Sequence, residues 1–201
     1  MEIYKTERLY VKEININELS DSVMEWFNDE NLMKYYTSSK RRITRKSLIE
    51  NIEKGQSTKM NFTFGVYFKE NNTLIGTIKL GPINHVHKIS DLVILLGDKE
   101  YHGKGLAQEA IRLGHDVAFK EFDLRKLFGG MYMENKSSIK SYTRSGWMVE
   151  GLLKGHYWVD SEPQDRVLVG MFNPKYFDST GLESIKNFSD QFLSEHNLNY
   201  E

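Results

Sequence analysis

The stretch Leu95-Leu96-Gly97-Asp98-Lys99-Glu100-Tyr101-His102-Gly103-Lys104-Gly105-Leu106-Ala107 constrains this chain more than any other. An apolar run ends, a short polar loop carries two glycines, and an amphipathic helix begins at once. Leu106, Ala110, Leu113 and Val117 recur at spacings of four, three and four, one apolar face of a helix. A glycine-rich turn feeding a helix N-terminus leaves backbone N–H groups unpaired beside the positive end of the helix dipole. Such a turn binds anions, and in a metabolite that points to phosphate. Lys104 adds a cation. An ordinary strand–turn–helix corner, where glycine merely relieves strain, uses the same residues, so the loop needs a second signal.

The loop excludes two nucleotide folds. A dinucleotide fingerprint wants G-x-G-x-x-G, and here Gly103-Lys104-Gly105 is followed by Gln108; no Walker run G-x-x-x-x-G-K-[ST] exists. His102-Gly103-Lys104-Gly105-Leu106-Ala107 instead resembles the pyrophosphate loop [QR]-x-x-G-x-[GA] of the GCN5-related N-acetyltransferases (GNAT), with His102 replacing Gln or Arg. Downstream, Asn135 to Trp147 resembles the family's N-x-x-[AS]-x-x-x-[YF]-x-x-x-G-[FW] signature. Its spacing makes physical sense: Asn135 suits a helix N-cap, Gly146 a C-terminal stop, and Ser138 and Tyr142 share one helical face. Thr6-Glu7-Arg8-Leu9, Trp26-Phe27-Asn28-Asp29, Ile75-Gly76 and Glu109-Ala110 are similar to the RimJ/RimL-like branch.

The resemblance implies an α/β (α+β) fold. Its centre is a mostly antiparallel twisted sheet of about seven strands, splayed between the fourth and fifth, flanked by about four helices. The sequence reads consistently with that order. Strands are predicted at 7–13, 62–68, 74–81, 89–96, 127–132, 148–157 and 166–172, from alternation and turn residues such as Asn71-Asn72. Helices are predicted over 17–28, 47–54, 106–122 and 136–145, with a loop or broken helix over 31–45. The acetyltransferase domain is expected over 1–177 and a C-terminal helical extension over 178–201. In that extension Leu182, Ile185, Phe188 and Phe192 form an apolar stripe to be buried on the domain or, alternatively, in a homodimer contact.

Composition adds limits. The chain has 201 residues, net charge −1 and no cysteine. Disulfides, thiolate zinc sites and an acyl-cysteine intermediate are therefore excluded, and direct attack of the acceptor on a thioester is the simplest route. The charge balance gives no ground for nucleic-acid binding, and no apolar run has the length of a membrane span. Without a signal-peptide pattern, a cytoplasmic location is expected. No metal is implied.

The resemblance also assigns roles. Acetyl-CoA is the implied co-substrate. Main-chain atoms of Leu95, Leu96 and Gly97 would pair with pantetheine, and His102, Gly103, Lys104, Gly105, Leu106, Ala107 and Gln108 would wrap the pyrophosphate, with Asn135 and Ser138 completing the set. Tyr142 stands at the general-acid position, and a phenol has the pKa range to protonate a leaving thiolate. Some peptide-modifying relatives carry a glutamate where this chain has Gly130, so Asp91 is the candidate base, acting through water. It shares a strand face with Val93, Leu95 and Gly97. A turn-capping role would explain it equally well.

For the acceptor, Ile78 to Asn84 and Gly97-Asp98-Lys99 resemble bacterial members tied to surface-polysaccharide pathways, which suggests a nucleotide-linked amino sugar. Basic Lys40, Arg41 and Arg42 beside Tyr35 and Tyr36 would suit a diphosphate and a base, with Trp26 and His87 as further contacts. The alternatives are a protein N-terminus, a polyamine held by Glu25, Asp29 and Glu30, or an acetyl-CoA-binding module without turnover.

Overall fold

The computed structural model describes residues 3–36 and 42–199. Its eight strands form one sheet in the order β1-β2-β3-β4-β5-β6-β8-β7. All neighbours are antiparallel except β5 and β6, which run parallel. The strands are β1 (Tyr4–Lys5), β2 (Leu9–Glu13), β3 (Phe62–Phe68), β4 (Thr73–Leu80), β5 (Ile89–Leu96), β6 (Lys126–Tyr132), β7 (Met148–Val159) and β8 (Glu162–Phe172). The eighth strand, absent from the sequence reading, is β1: Tyr4 and Lys5 pair with Val11 and Tyr10. Two residues give no alternation to recognise.

Among the described residues the helices number six: the four expected around the sheet, the expected C-terminal one, and one more. The predicted helix over 17–28 shrinks to α1 (Asp21–Trp26), because Ser20 caps it by accepting from Val23 N at 3.3 Å. Asp29 then caps the one-turn α2 (Glu30–Met33), accepting from Asn31 N and Leu32 N at 3.0 Å each. α3 (Arg45–Ser57) starts on a Thr44/Ser47 capping box. α4 (Leu106–Asp116) ends earlier than predicted and loosens into a π turn over Val117–Glu121. α5 (Lys136–Thr143) is capped by Asn135.

One apolar core joins the sheet to α4, α5 and α6 (Glu183–Glu195), with Leu106, Ala110, Leu113 and Val117 all buried in it. α6 lies on β7: Phe192, Leu193 and Leu198 are buried, and Val149 N donates to Ser189 Oγ at 2.9 Å. The C-terminal segment therefore docks on its own domain, and Phe188 of its apolar stripe stays partly exposed. Among the described residues, no helix is long and apolar enough to cross a membrane.

The feature that positions the site is where β5 leaves β6. Their ladder covers only Ile89, Ser90 and Asp91 against Lys126, Leu127 and Phe128. β4 keeps its pairing with β5 to Leu96. From Leu92 onward one edge of β5 is thus free, and its backbone groups need other partners.

Candidate active site

Three side chains meet the exposed edge of β5 in succession. Tyr142 Oη donates to Leu92 O at 2.9 Å, Tyr36 Oη to Ile94 O at 2.5 Å, and His102 Nε2 lies 2.8 Å from Leu96 O. The pleat explains the spacing by two. Odd-numbered residues face β4, as the Gly81 N to Asp91 O and Gly97 N to Ile75 O bonds show, so Leu92, Ile94 and Leu96 turn their amides into the wedge. This corrects the main-chain assignment. The Leu95 backbone faces β4 and the Gly97 N–H is already bonded, so Leu92, Ile94 and Leu96 are the strand residues that turn toward the wedge, where side chains hold their carbonyls.

The wedge opens into a cavity of about 390 Å³ whose walls include Tyr142, Asp91, Asn135, Ser138, Tyr35 and Tyr36. Tyr142 is held rigidly. It is 7% exposed, stands edge-on to Trp147 with centroids 4.9 Å apart, and Trp147 Nε1 donates to His115 Nε2 on α4. Burial pushes its phenol well above the usual range, and the nearby Tyr36 and Asp91 add to this. It is therefore a protonated hydrogen-bond donor at any physiological pH. Asp91 closes the floor where the β5–β6 ladder ends. Burial raises its carboxyl to about 6, against the lowering effects of the Leu92 N–H and the charges of Arg166 and Lys79. At neutral pH it is mostly ionised, and its pKa suits a base working through water.

The opposite wall comes from β6, β7 and β8 and was missed in the sequence. Tyr157 stacks on Tyr132 with centroids 3.9 Å apart, Tyr35 leans on Tyr132 at 5.6 Å, and His156 and Arg166 complete the wall. Arg166 lies flat over Gly130, where an added Cβ would sit 1.9 Å from Arg166 Nε. Two glycines inside a strand, Gly129 and Gly130, were the available signal for a close approach.

Beyond Leu96 the chain enters the glycine loop. Gly103 and Gly105 have φ of +72° and +74°, and Gly105 is the N-cap of α4 without a side-chain cap bond. The first N–H groups of α4, at Leu106, Ala107 and Gln108, are thus free of a capping side chain, while the Leu106 side chain is in the core. Lys104 is exposed, with Nζ 5.4 Å from the Tyr101 ring centroid. The loop is anchored from β2: Arg8 NH1 donates to Lys104 O at 2.9 Å and Arg8 Nε to the buried Glu109 at 2.6 Å.

Several predicted acceptor contacts lie elsewhere. Trp26 covers Gly97, where a Cβ would meet its ring at 1.9 Å, and it lines a separate cavity of about 490 Å³. That cavity holds Glu18, Glu25, Asp29 and Asp98 but neither Tyr142 nor Asp91, which line the other one. His87 sits in the β4–β5 connection, its N–H donating to Asn84 and its carbonyl accepting from Arg125. Arg42 is exposed and is not among the residues lining the cavity. Lys40 and Arg41 lie outside the described residues. Among the described residues, no cluster of metal-ligating side chains is present.

The mixed sheet parted between β5 and β6, with a glycine loop at the end of its free strand, is the arrangement the sequence resemblance implied, and comparison with known proteins agrees. Residues 8–148 match the family model of the acetyltransferase (GNAT) domain, and the chain belongs to that family. It is 33% identical over 101 residues to spermidine N(1)-acetyltransferase of Escherichia coli K12, covering 50% of this chain and 54% of that protein; the chain thus spans about half the length of this curated relative. It is 24% identical to the probable N-acetyltransferase YjcK of Bacillus subtilis, over 85% of this chain and 97% of the relative. Among solved structures, spermidine N-acetyltransferase from Vibrio cholerae with CoA and spermine superposes with a TM-score of 0.76 at 23% identity, covering 86% of this chain and 100% of that one. The ribosomal-protein-S5-alanine acetyltransferase from Vibrio fischeri gives 0.74 at 20%, covering 89% and 100%. These two likenesses establish the fold.

Proposed function

We propose that this protein is an acetyl-CoA-dependent N-acetyltransferase that moves the acetyl group directly to a primary amine of a small molecule. One observation carries the reading: the free edge of β5 joins a buried tyrosine and an elevated-pKa carboxylate at one end to an uncapped glycine loop at the other. The helix end suits the pyrophosphate of CoA, and the strand edge suits its pantetheine amides.

In this reading the acceptor nitrogen attacks the thioester carbonyl carbon. The C–N bond forms, the C–S bond breaks, and the sulfur leaves as a thiolate that receives a proton. Tyr142 turns its one O–H from Leu92 O to that sulfur, gives it the proton as the C–S bond breaks, and is reprotonated from solvent. Its raised pKa makes it a weak acid, so it acts while charge builds on sulfur, and the same burial strengthens the bond. The amine proton leaves through water to Asp91. Burial that keeps Asp91 near 6 lets it hold that proton briefly and return it to solvent. With no cysteine in the chain, no acyl-cysteine intermediate intervenes.

For the acceptor, spermidine N-acetyltransferases recur among the relatives, which makes a polyamine the first amine to test, ahead of the nucleotide-linked amino sugar. The test is thiol release from acetyl-CoA with spermidine, spermine, amino sugars and short peptides. Turnover with any amine, lost in Tyr142→Phe while acetyl-CoA still binds, supports the enzyme. Tight acetyl-CoA binding with no turnover on any amine points to the binding module instead.

A further inference from the structure

The wall opposite Asp91 holds a cation with too few partners. Arg166 Nε is buried and has no hydrogen-bond partner. Its NH1 lies 3.2 Å from His156 Nε2, and its guanidinium carbon sits 5.7 Å from the Tyr157 centroid. No carboxylate pairs with it among the described residues; Asp91 interacts only through its field. Arg166 as a whole is half-buried, but a guanidinium Nε shut off from water with no acceptor carries a cost, and the fork geometry of the group matches a carboxylate or a phosphate. The protein keeps room for it, because Gly130 has no Cβ where the planar group lies.

We infer that the acceptor of this enzyme is an amine that also carries an oxyanion, a carboxylate or a phosphate, and that Arg166 receives that oxyanion. The inference rests on the cavity being the acceptor site. It gives the cavity a polarity, with the amine directed toward Asp91 and the oxyanion toward the β8 wall. A polyamine, cationic throughout, would leave Arg166 unpaired and add like charge beside it. This chain therefore departs in acceptor chemistry from the spermidine enzymes it is similar to.

Matched amines test it: butylamine against 4-aminobutyrate, ethanolamine against phosphoethanolamine, glucosamine against glucosamine 6-phosphate, with spermidine alongside. The anionic member of at least one pair is expected to have a kcat/KM at least tenfold above its partner, and the winning pair tells carboxylate from phosphate. In Arg166→Gln that ratio falls toward one, with partial recovery in Arg166→Lys. Gly130→Ala, which pushes the guanidinium off its seat, does the same from the opposite strand, so a folding defect in one variant leaves the other. In parallel, calorimetry on the CoA-bound protein, with the loop already filled, measures binding of inorganic phosphate and acetate; saturable binding that Arg166→Gln removes is expected. Equal or better turnover of the uncharged members or of spermidine overturns the inference and leaves the transferase reading standing. Silence of every amine, together with no Arg166-dependent anion binding, overturns it too. Loss of acetyl-CoA binding in the wild type would instead remove the transferase reading itself.

Discussion

Replacing Asp91 by asparagine separates catalysis from stability. The carboxyl is raised from 3.8 to about 6, chiefly by burial. That rise corresponds to about 3 kcal/mol at neutral pH, carried as a penalty on the folded state. The sign follows from proton binding. Between pH 3.8 and about 6 the folded protein keeps a proton that the unfolded chain has released, so stability falls as pH rises through that window. Above it the full penalty applies; below it there is none. Asparagine retains an acceptor for the Leu92 N–H and has no charge to desolvate. Asp91→Asn should therefore be more stable than the wild type at pH 7.5 by about 2–3 kcal/mol, or roughly 4–10 °C in melting temperature for a chain of this size. The two melting curves should converge near pH 4. In turnover the variant should lose about a hundredfold or more, and the acidic limb of the kcat/KM profile near pH 6 should vanish. Thermal denaturation by circular dichroism across pH 4–8, with thiol release at each pH, reads both. A variant less stable at pH 7.5, or a stability gap that does not shrink on acidification, would refute the account of Asp91 as a desolvated carboxylate.

Other perturbations test neighbouring parts of the argument. Tyr142→Phe removes the donor to Leu92 O, so the variant should lose about 1–3 kcal/mol of stability and at least a hundredfold in kcat, with the acetyl-CoA Kd little changed; an unchanged kcat would remove Tyr142 from the chemistry. His115 is held neutral, its pKa lowered from 6.5 to about 3 by burial, with Arg112 contributing. Its contribution is complete above pH 6.5 and is lost as pH falls toward 3, up to about 5 kcal/mol. His115→Gln, which keeps an acceptor for Trp147, should flatten the acid denaturation curve below pH 6.5; superimposable curves would contradict this. Arg8→Ala frees the glycine loop from its anchor at Lys104 O, and the KM for acetyl-CoA should rise about fivefold, the worth of one hydrogen bond, with kcat nearly unaffected. An unmoved KM would show that the loop holds its shape alone.

Local pattern carried much of this protein. Strands over 62–68 and 89–96 match the structure residue for residue, because apolar runs bounded by turns are legible without tertiary context. Asn135 and Tyr142 were readable too, since a helix cap and a four-residue spacing are local facts. The break between α1 and α2 was less so: Ser20 and Asp29 compete with a continuous apolar pattern, and capping won. The acceptor side misled for a related reason. Trp26 and His87 have binding-type side chains, yet Trp26 is needed to cover Gly97 and His87 is spent in a turn.

The sequence alone determined most of the strands and helices, the glycine loop and the elements that carry Tyr142 and Asp91, because each depends on residues close together in the chain. Only the tertiary structure decided which strand amides turn into the wedge and what shares the cavity with Tyr142 and Asp91. The first depends on which neighbour β5 pairs with. The second depends on Arg166 reaching Gly130 across the β6–β8 ladder, and a contact between residues so far apart in the chain leaves no periodicity to read.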